Sequence, residues 1–201
     1  MAEINVVIKE QGFEIVRDII GAILKEELEN QKILQPERLT EEINLYSNRI
    51  KPFSQSEVFM INVSCDNGNY TSKSQSGNHG GINYNIDIFA TGKETGTSNG
   101  GSNSAKVRDK YNGLITFILS DTHYRVLGLP PGIIMGTSVD SFENGAVGDS
   151  QDAAFTQGCR IVFNVKMSET QSFYKGVELS TINTSIKLED TENGYKYTKE
   201  D

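Results

Sequence analysis

The chain has 201 residues, with 19 Lys and Arg against 27 Asp and Glu, so its formal net charge is −8 at pH 7. This acidic balance argues against a protein that grips nucleic acid, because such proteins use basic side chains to displace counterions from phosphates. The apolar runs are too short for a membrane-spanning helix, and the first residues lack the basic and apolar regions of a secretory signal. We therefore expect a loop-rich globular protein that has no membrane partner.

The first predicted element is an amphipathic helix from Phe13 to Gln31, which begins after Gly12. Its apolar residues recur at intervals of three and four and so share one face. These residues are Phe13, Val16, Ile20, Ile23, Leu24 and Leu28. The alternation from Ile4 to Ile8 favours a short strand or an extended arm before the helix.

The segment from Lys32 to Ser56 is ambiguous. Pro36 interrupts it, and Leu39 to Ile43 fits either a continued helix or the beginning of a strand. We interpret Ile43 to Ile50 as a weak strand.

Two strands separated by a polar loop are predicted next. Val58 to Cys65 is a short apolar run typical of a buried strand, and Ile82 to Ala90 alternates between apolar and polar residues. Between them, Asp66 to Gly81 is rich in Gly and Asn, the residues that most readily adopt positive φ. The pattern predicts an antiparallel hairpin with an unusually long tip.

A second polar segment precedes a second predicted helix. Gly92 to Asn103 is rich in Gly, Ser, Asn and Thr, which predicts a flexible connector. The apolar spacing from Val107 to Leu119 predicts an amphipathic helix with an N-cap among Ser102 to Ser104. Leu127 to Gly132 contains adjacent prolines flanked by glycines and predicts a turn.

The rest of the chain predicts strands. Ile133 to Val139 alternates as a strand, and Glu143 to Asp152 is interpreted as a loop. Cys159 to Met167 has apolar residues on one face and Arg160, Asn164 and Lys166 on the other, the pattern of a sheet packed on one side. Val177 to Leu188 predicts a further strand, followed by the turn dipeptide Asn193-Gly194.

These elements predict an α+β fold in which an antiparallel sheet packs against two amphipathic helices, with long polar loops and a C-terminal β extension. We expect the core domain to occupy residues 1–168 and the β extension to occupy residues 169–201.

The sequence matches no template for catalysis or for metal binding. His79 and His123 have no second His or Cys at the spacing of metal ligands. Cys65 and Cys159 are too few for a disulfide framework, and their apolar surroundings predict two buried thiols. We therefore expect no catalytic residue, no cofactor and no metal ion.

Two polar features resemble ligand sites only loosely. Acidic residues gather around one predicted loop, but their spacing is not that of an EF-hand, so we interpret the loop as solvated. These residues are Asp140, Glu143, Asp149 and Asp152. Gly100-Gly101 precedes the second predicted helix, where an anion can meet a helix N-terminus, although a flexible connector is the better interpretation.

The order of several segments carries a resemblance to a known family. The segments are the first helix, Tyr84 to Ala90, Val107 to Leu119, His123 to Leu127 and Gly158 to Val165. Together they resemble the tail terminator proteins of long-tailed bacteriophages, also called tail-completion or minor tail protein U-like proteins. The resemblance covers about residues 10–168 and rests on element order. Two segments depart from the family pattern, 32–56 by its length and polarity and 170–201 by its added strands.

The resemblance implies a structural virion protein. Such a protein forms a ring, typically a homohexamer, at the head-proximal end of the tail tube, where it stops tube polymerisation and joins the tail to the neck. The implied partners are further copies of the chain, the tail tube protein and a neck or head-completion protein. DNA would pass through without specific binding, and assembly would occur in the host cytoplasm. The alternatives are a head-closure or stopper protein, another neck or tail-tube component, or a non-catalytic binding module.

The polar loops supply candidate residues for a subunit or partner interface. They are Tyr70, Lys73, His79, Lys93, Glu94, Asn99, Glu143 and Asp149. Loops that bury little surface within one subunit are candidates to become ordered against a neighbour. The acidic balance also suits a conduit for DNA, because charge of the same sign keeps phosphates from sticking.

Overall fold

A computed structural model describes residues 10, 12–49, 58–74, 77–93, 100–146, 154–170, 181–187 and 194–200. The chain divides into two compact units, Met1–Gln171 and Ser172–Asp201. The elements of the first unit are α1 (Gly12–Leu34), β1 (Leu45–Ser47), β2 (Phe59–Ser74), β3 (Gly77–Lys93), α2 (Gly100–Ser120), a 3₁₀ turn (Thr122–Tyr124), β4 (Ile134–Ala146) and β5 (Ala154–Thr170). The second unit contains the antiparallel pair β6 (Thr181–Lys187) and β7 (Gly194–Glu200). The predicted strand at Ile4 to Ile8 falls outside the described residues.

The sheet of the first unit has five strands in the order β1-β2-β3-β5-β4. The α+β class and the two helices are confirmed. The expectation of an antiparallel sheet holds for β2, β3, β5 and β4 and is wrong at one edge, because β1 pairs with β2 in parallel, with Leu45 opposite Ile61. Parallel neighbours need a connection longer than a tight hairpin, and 11 residues separate Ser47 from Phe59.

Both helices pack on one face of this sheet. In α1, Val16, Ile20, Leu24 and Leu28 are buried, as their spacing of four predicts. The Tyr84 hydroxyl of β3 donates a hydrogen bond of 3.0 Å to the Phe13 carbonyl, which fixes the beginning of α1 on the sheet.

The second helix begins earlier than its apolar spacing predicts. Gly100 to Asn103, predicted as connector, forms the first turn of α2, and the Ser104 hydroxyl donates to the Gly100 and Gly101 carbonyls at 3.1 and 3.0 Å. The N-cap predicted among Ser102 to Ser104 therefore lies inside the helix. Close packing against this turn explains the glycine at position 92 of β3, since a Cβ there would lie only 2.1 Å from the Gly100 carbonyl oxygen.

The prediction of a long polar loop from Asp66 to Gly81 is also wrong for the residues that the structure describes. There β2 continues to Ser74, and β3 begins at Gly77. The backbone pairing is interrupted by register shifts after Cys65 and after Tyr70. Strand pairing uses backbone groups, so polar side chains do not prevent it. On its other side β3 pairs with β5 along its full length, which supports this three-stranded extension, hereafter the ribbon (67–74, 77–81 and 166–170).

The turn and the last long strand agree with the sequence. Leu127, Gly128 and Gly132 have φ of 50°, 69° and 92°, as expected for the turn predicted at this position. In β5, the residues predicted to face the core are buried, namely Cys159, Ile161, Phe163, Val165 and Met167. Residues 143–146, predicted as the beginning of a loop, belong to β4 instead.

Among the described residues, no helix is long and apolar enough to cross a membrane.

Candidate functional site

The sheet face opposite the helices, hereafter the outer face, carries mainly polar side chains. On β3 the side chains alternate, so that Ile82, Tyr84 and Ile86 enter the core while Asn83 and Asp87 lie on the outer face. These two residues have Asn164 and Arg160 of β5 as their cross-strand partners. Cross-strand neighbours share a face, so polar groups meet there in pairs.

Side-chain amides form a chain of hydrogen bonds across three strands of the outer face. Asn164 Nδ2 donates to Asn83 Oδ1 at 2.6 Å, and Asn83 Nδ2 donates to Asn67 Oδ1 at 3.2 Å. Asn67 Nδ2 then donates to Asp66 Oδ2 at 2.8 Å. An amide both donates and accepts, so this chain holds the side chains in fixed orientations and leaves each with unused hydrogen-bonding capacity.

A bidentate ion pair lies further along the same face. Arg160 donates to Asp87, from Nε to Oδ1 at 2.7 Å and from Nη2 to Oδ2 at 3.0 Å. The hydrogen bond to Asp87 raises the pKa of Arg160, and the charges of Asp87, Asp66 and Glu143 add to this effect. Because Asp87 is buried, the pair keeps its carboxylate satisfied.

An open groove of about 600 Å³ lies on the outer face between the ribbon and the beginning of β4. Its lining consists of Asn67, Asn69, Thr71, His79, Gly80, Gly81, Asn83, Met135, Asn164 and Lys166. Glycine at position 81 leaves space in the groove, since a Cβ there would lie 3.1 Å from Asn164 Nδ2. Lys166 is exposed and makes no ion pair with any residue that the structure describes.

The interface residues predicted from the sequence are distributed over several positions. His79 lies on β3, where it lines the groove, although it was expected in a loop. Tyr70 of β2 is close to His79 in the strand pairing, but its ring packs against the core. Glu143 is exposed on β4.

The other five predicted interface residues are not among the described residues that line the groove. The backbone of Lys73 lies near the end of β2, and Lys93 is the last residue of β3. Glu94, Asn99 and Asp149 fall outside the described residues.

Sequence reasoning considered Asn67 only within the stretch 67–78 that a binding module would use for recognition, missed Asn83, and used Asn164 and Lys166 only to define a polar strand face. The detectable signal was the placement of polar residues at alternate positions of the predicted strands. The groove itself needs β2, β3 and β5 side by side, which spacing along the chain does not reveal.

The described residues contain no group of three or more His, Cys, Asp and Glu side chains placed to hold a metal ion. Burial raises the pKa of the Cys159 thiol to about 11, which makes it a poor nucleophile near neutral pH. Cys65, also expected to be buried, is half-buried. The groove therefore offers hydrogen-bond donors and acceptors, one ammonium group and one imidazole.

No protein-family model matches the chain, and no curated protein matches it. The chain is similar to one in a solved structure described as "Virion of native gene transfer agent (GTA) particle". The alignment covers 61% of this chain and 78% of that one, with a TM-score of 0.38 and 11% sequence identity. A likeness of this degree does not establish a shared fold or a shared function.

Proposed function

We propose that this chain is a non-catalytic structural subunit of a phage-type tail. Copies of it form a closed ring, a hexamer in our proposal, on the head-proximal end of the tail tube. The ring ends tube polymerisation and joins the tail to the neck. Its partners are the tail tube protein and a neck or head-completion protein, and its location is the virion, after assembly in the host cytoplasm.

The observation that carries this proposal is the open edge of the sheet. Within the described residues β4 is 13 residues long and pairs with β5 alone. Met135 and Phe142 on this strand are each 55% exposed. A long edge strand with exposed apolar side chains is suited to contact another chain, because it presents unpaired backbone groups beside apolar surface.

Ring formation also requires a second, different surface on each subunit. A heterologous contact repeats around a closed ring when one patch of a subunit meets a distinct patch of the next. The ribbon supplies such a patch, since its side chains Asn67, Asn69 and Thr71 are exposed and line the groove. The net charge of −8 fits a lumen through which DNA slides without binding.

Native mass spectrometry over a range of protein concentrations tests the proposal, together with electron microscopy of the protein mixed with tail tubes. We expect a closed oligomer, and tubes that carry it at one end. A species that is monomeric at every concentration and leaves tubes uncapped would contradict the proposal. That result would favour a stand-alone binding module, which the groove also suits.

A pair of variants connects the test to the edge strand. Phe142→Glu places a charge on β4 and is expected to reduce the oligomer to monomers while leaving the circular dichroism spectrum unchanged. Phe117→Glu is the matched control, because Phe117 is 72% exposed and lies on α2, outside the edge strand. Equal loss of assembly in both variants would show that β4 has no special role.

A further inference from the structure

We infer that the groove on the outer face binds a carboxylate-bearing segment of a second copy of this chain, with Lys166 as the cation that receives it. The inference rests on the ring proposed above and identifies one contact within it.

Charge complementarity favours a second copy as the occupant. The described residues that line the groove include Lys166 and His79 and no Asp or Glu. The chain has 27 Asp and Glu against 19 Lys and Arg, so acidic side chains are the more numerous charged groups that another copy can bring to the groove. A patch that carries a free ammonium group selects acidic segments and repels basic ones.

The partners available to Lys166 lead to the same conclusion. On the same face, Asp87 is already held by its cross-strand partner Arg160 through two hydrogen bonds. Asp66 accepts a hydrogen bond from Asn67. Lys166 is exposed and forms no ion pair with a described residue, so its charge is available to an incoming carboxylate.

The amide groups of the groove suit an extended peptide segment. Asn67 and Asn69 both line the groove from β2 and are separated by one residue, which places them about 7 Å apart along the strand. The backbone groups of an extended segment repeat at the same spacing. Asn69 and Thr71 make no side-chain hydrogen bond with a described residue, so both can bind a neighbour's backbone.

The test uses the full-length chain and compares charge variants by native mass spectrometry and analytical ultracentrifugation. Lys166→Glu is expected to raise the apparent dissociation constant between subunits by about tenfold or more, because the groove then repels the carboxylate. Lys166→Arg should retain assembly. Lys106→Glu is the control of equal charge change, since Lys106 is exposed on α2.

The salt dependence of assembly provides a second measurement. Wild-type assembly should weaken at high salt, because screening reduces the attraction between exposed charges. The salt response of Lys166→Gln should be smaller than that of the wild type. The thermal midpoint of each variant, measured in parallel, verifies that the monomer is folded, as expected for an exposed position.

The outcomes separate this inference from the proposed function. If the wild type forms rings and Lys166→Glu forms them equally well, the groove contact is wrong and the ring proposal stands. If Lys166→Glu forms rings but no longer binds tail tubes, the occupant is the tube protein, and the second-copy inference is overturned. If the wild type is monomeric throughout, the proposed function fails first.

Discussion

Lys110 of α2 donates hydrogen bonds from Nζ to both carboxylate oxygens of Glu41, at 3.0 and 2.8 Å. The two side chains are only 14% and 11% exposed. Lys110 also donates to the Arg38 carbonyl at 2.7 Å, and the Tyr111 hydroxyl donates to Glu41 at 3.3 Å. The segment after α1, residues 35–44, belongs to no described strand. The cluster holds this segment against α2.

Glu41→Gln should destabilise the protein. The change leaves the Lys110 ammonium without its carboxylate in a mostly buried position, at a cost of about 1–3 kcal/mol in the free energy of unfolding. Urea denaturation measures this loss. Glu42→Gln is the matched control, because Glu42 is exposed one residue further along, and equal losses in both variants would contradict the role assigned to Glu41.

The Glu41 cluster should also make stability depend on pH in the acidic range. Burial acts to raise the pKa of Glu41, but hydrogen bonds from Lys110 and Tyr111 outweigh burial, and the pKa lies below its ordinary value of 4.5. A lowered carboxyl pKa stabilises the fold above the unfolded pKa, and the stabilisation is lost as pH falls through the folded pKa. The difference in urea midpoint between wild type and Glu41→Gln should therefore shrink on acidification. A constant difference would show that ionisation of Glu41 is not involved.

Gly92→Ala should disturb the junction of β3 and α2. The added Cβ meets the Gly100 carbonyl oxygen at 2.1 Å and the Ser104 backbone nitrogen at 2.9 Å. These are backbone atoms, so relief requires movement of the helix, and we expect a loss of about 1–3 kcal/mol. Thermal denaturation followed by circular dichroism measures the loss. An unchanged midpoint would mean that α2 shifts at little cost.

Gly113→Ala is expected to have the opposite sign. Gly113 lies in the interior of α2 and is exposed, and apart from its chain neighbours and the backbone of its own helix no heavy atom lies within 4 Å of the position of an added Cβ. Alanine restricts the unfolded chain and favours the helix, so we expect a gain of up to about 1 kcal/mol. The same thermal experiment compares it with Gly92→Ala, and a loss here would contradict the helical environment of this residue.

The two cysteines should differ in reactivity. Burial raises the pKa of the Cys159 thiol to about 11, whereas Cys65 is half-buried. Because the thiolate is the reactive form, Cys65 should be alkylated faster at mildly alkaline pH, and Cys159 should react mainly in denaturant. Peptide mapping by mass spectrometry after a timed iodoacetamide pulse distinguishes them. Equal rates in the folded protein would contradict the burial of Cys159.

Elements with a strong apolar period were predictable from the sequence. The buried faces of α1 and β5 follow from the sequence alone. An element that buries one face has apolar residues at the period of its own geometry, and that period is visible in the sequence. The polar stretch after Cys65 was interpreted as a loop, since Gly and Asn favour turns. In the structure, backbone pairing with β3 outweighs that preference, and β5 supports the other side of β3.

The candidate site was less accessible from the sequence. Lys166 and Asn164 were assigned to the polar face of a strand, and the structure confirms that placement. The residues that meet them across the groove come from strands far earlier in the chain, so only the strand order β2-β3-β5-β4 brings them together. The early beginning of α2 was missed because a close approach at Gly92 depends on tertiary contact, whereas composition favours a linker there.

The position of β5 between β3 and β4 also affects how the chain is synthesised and folds. β3 and β4 both leave the ribosome before β5, the strand that separates them in the sheet. A chain interrupted before Ala154 therefore has no strand to pair with β4 or with the second side of β3. Until translation passes Thr170, the nascent protein exposes these strand edges, which is the condition under which chaperones are needed to prevent aggregation.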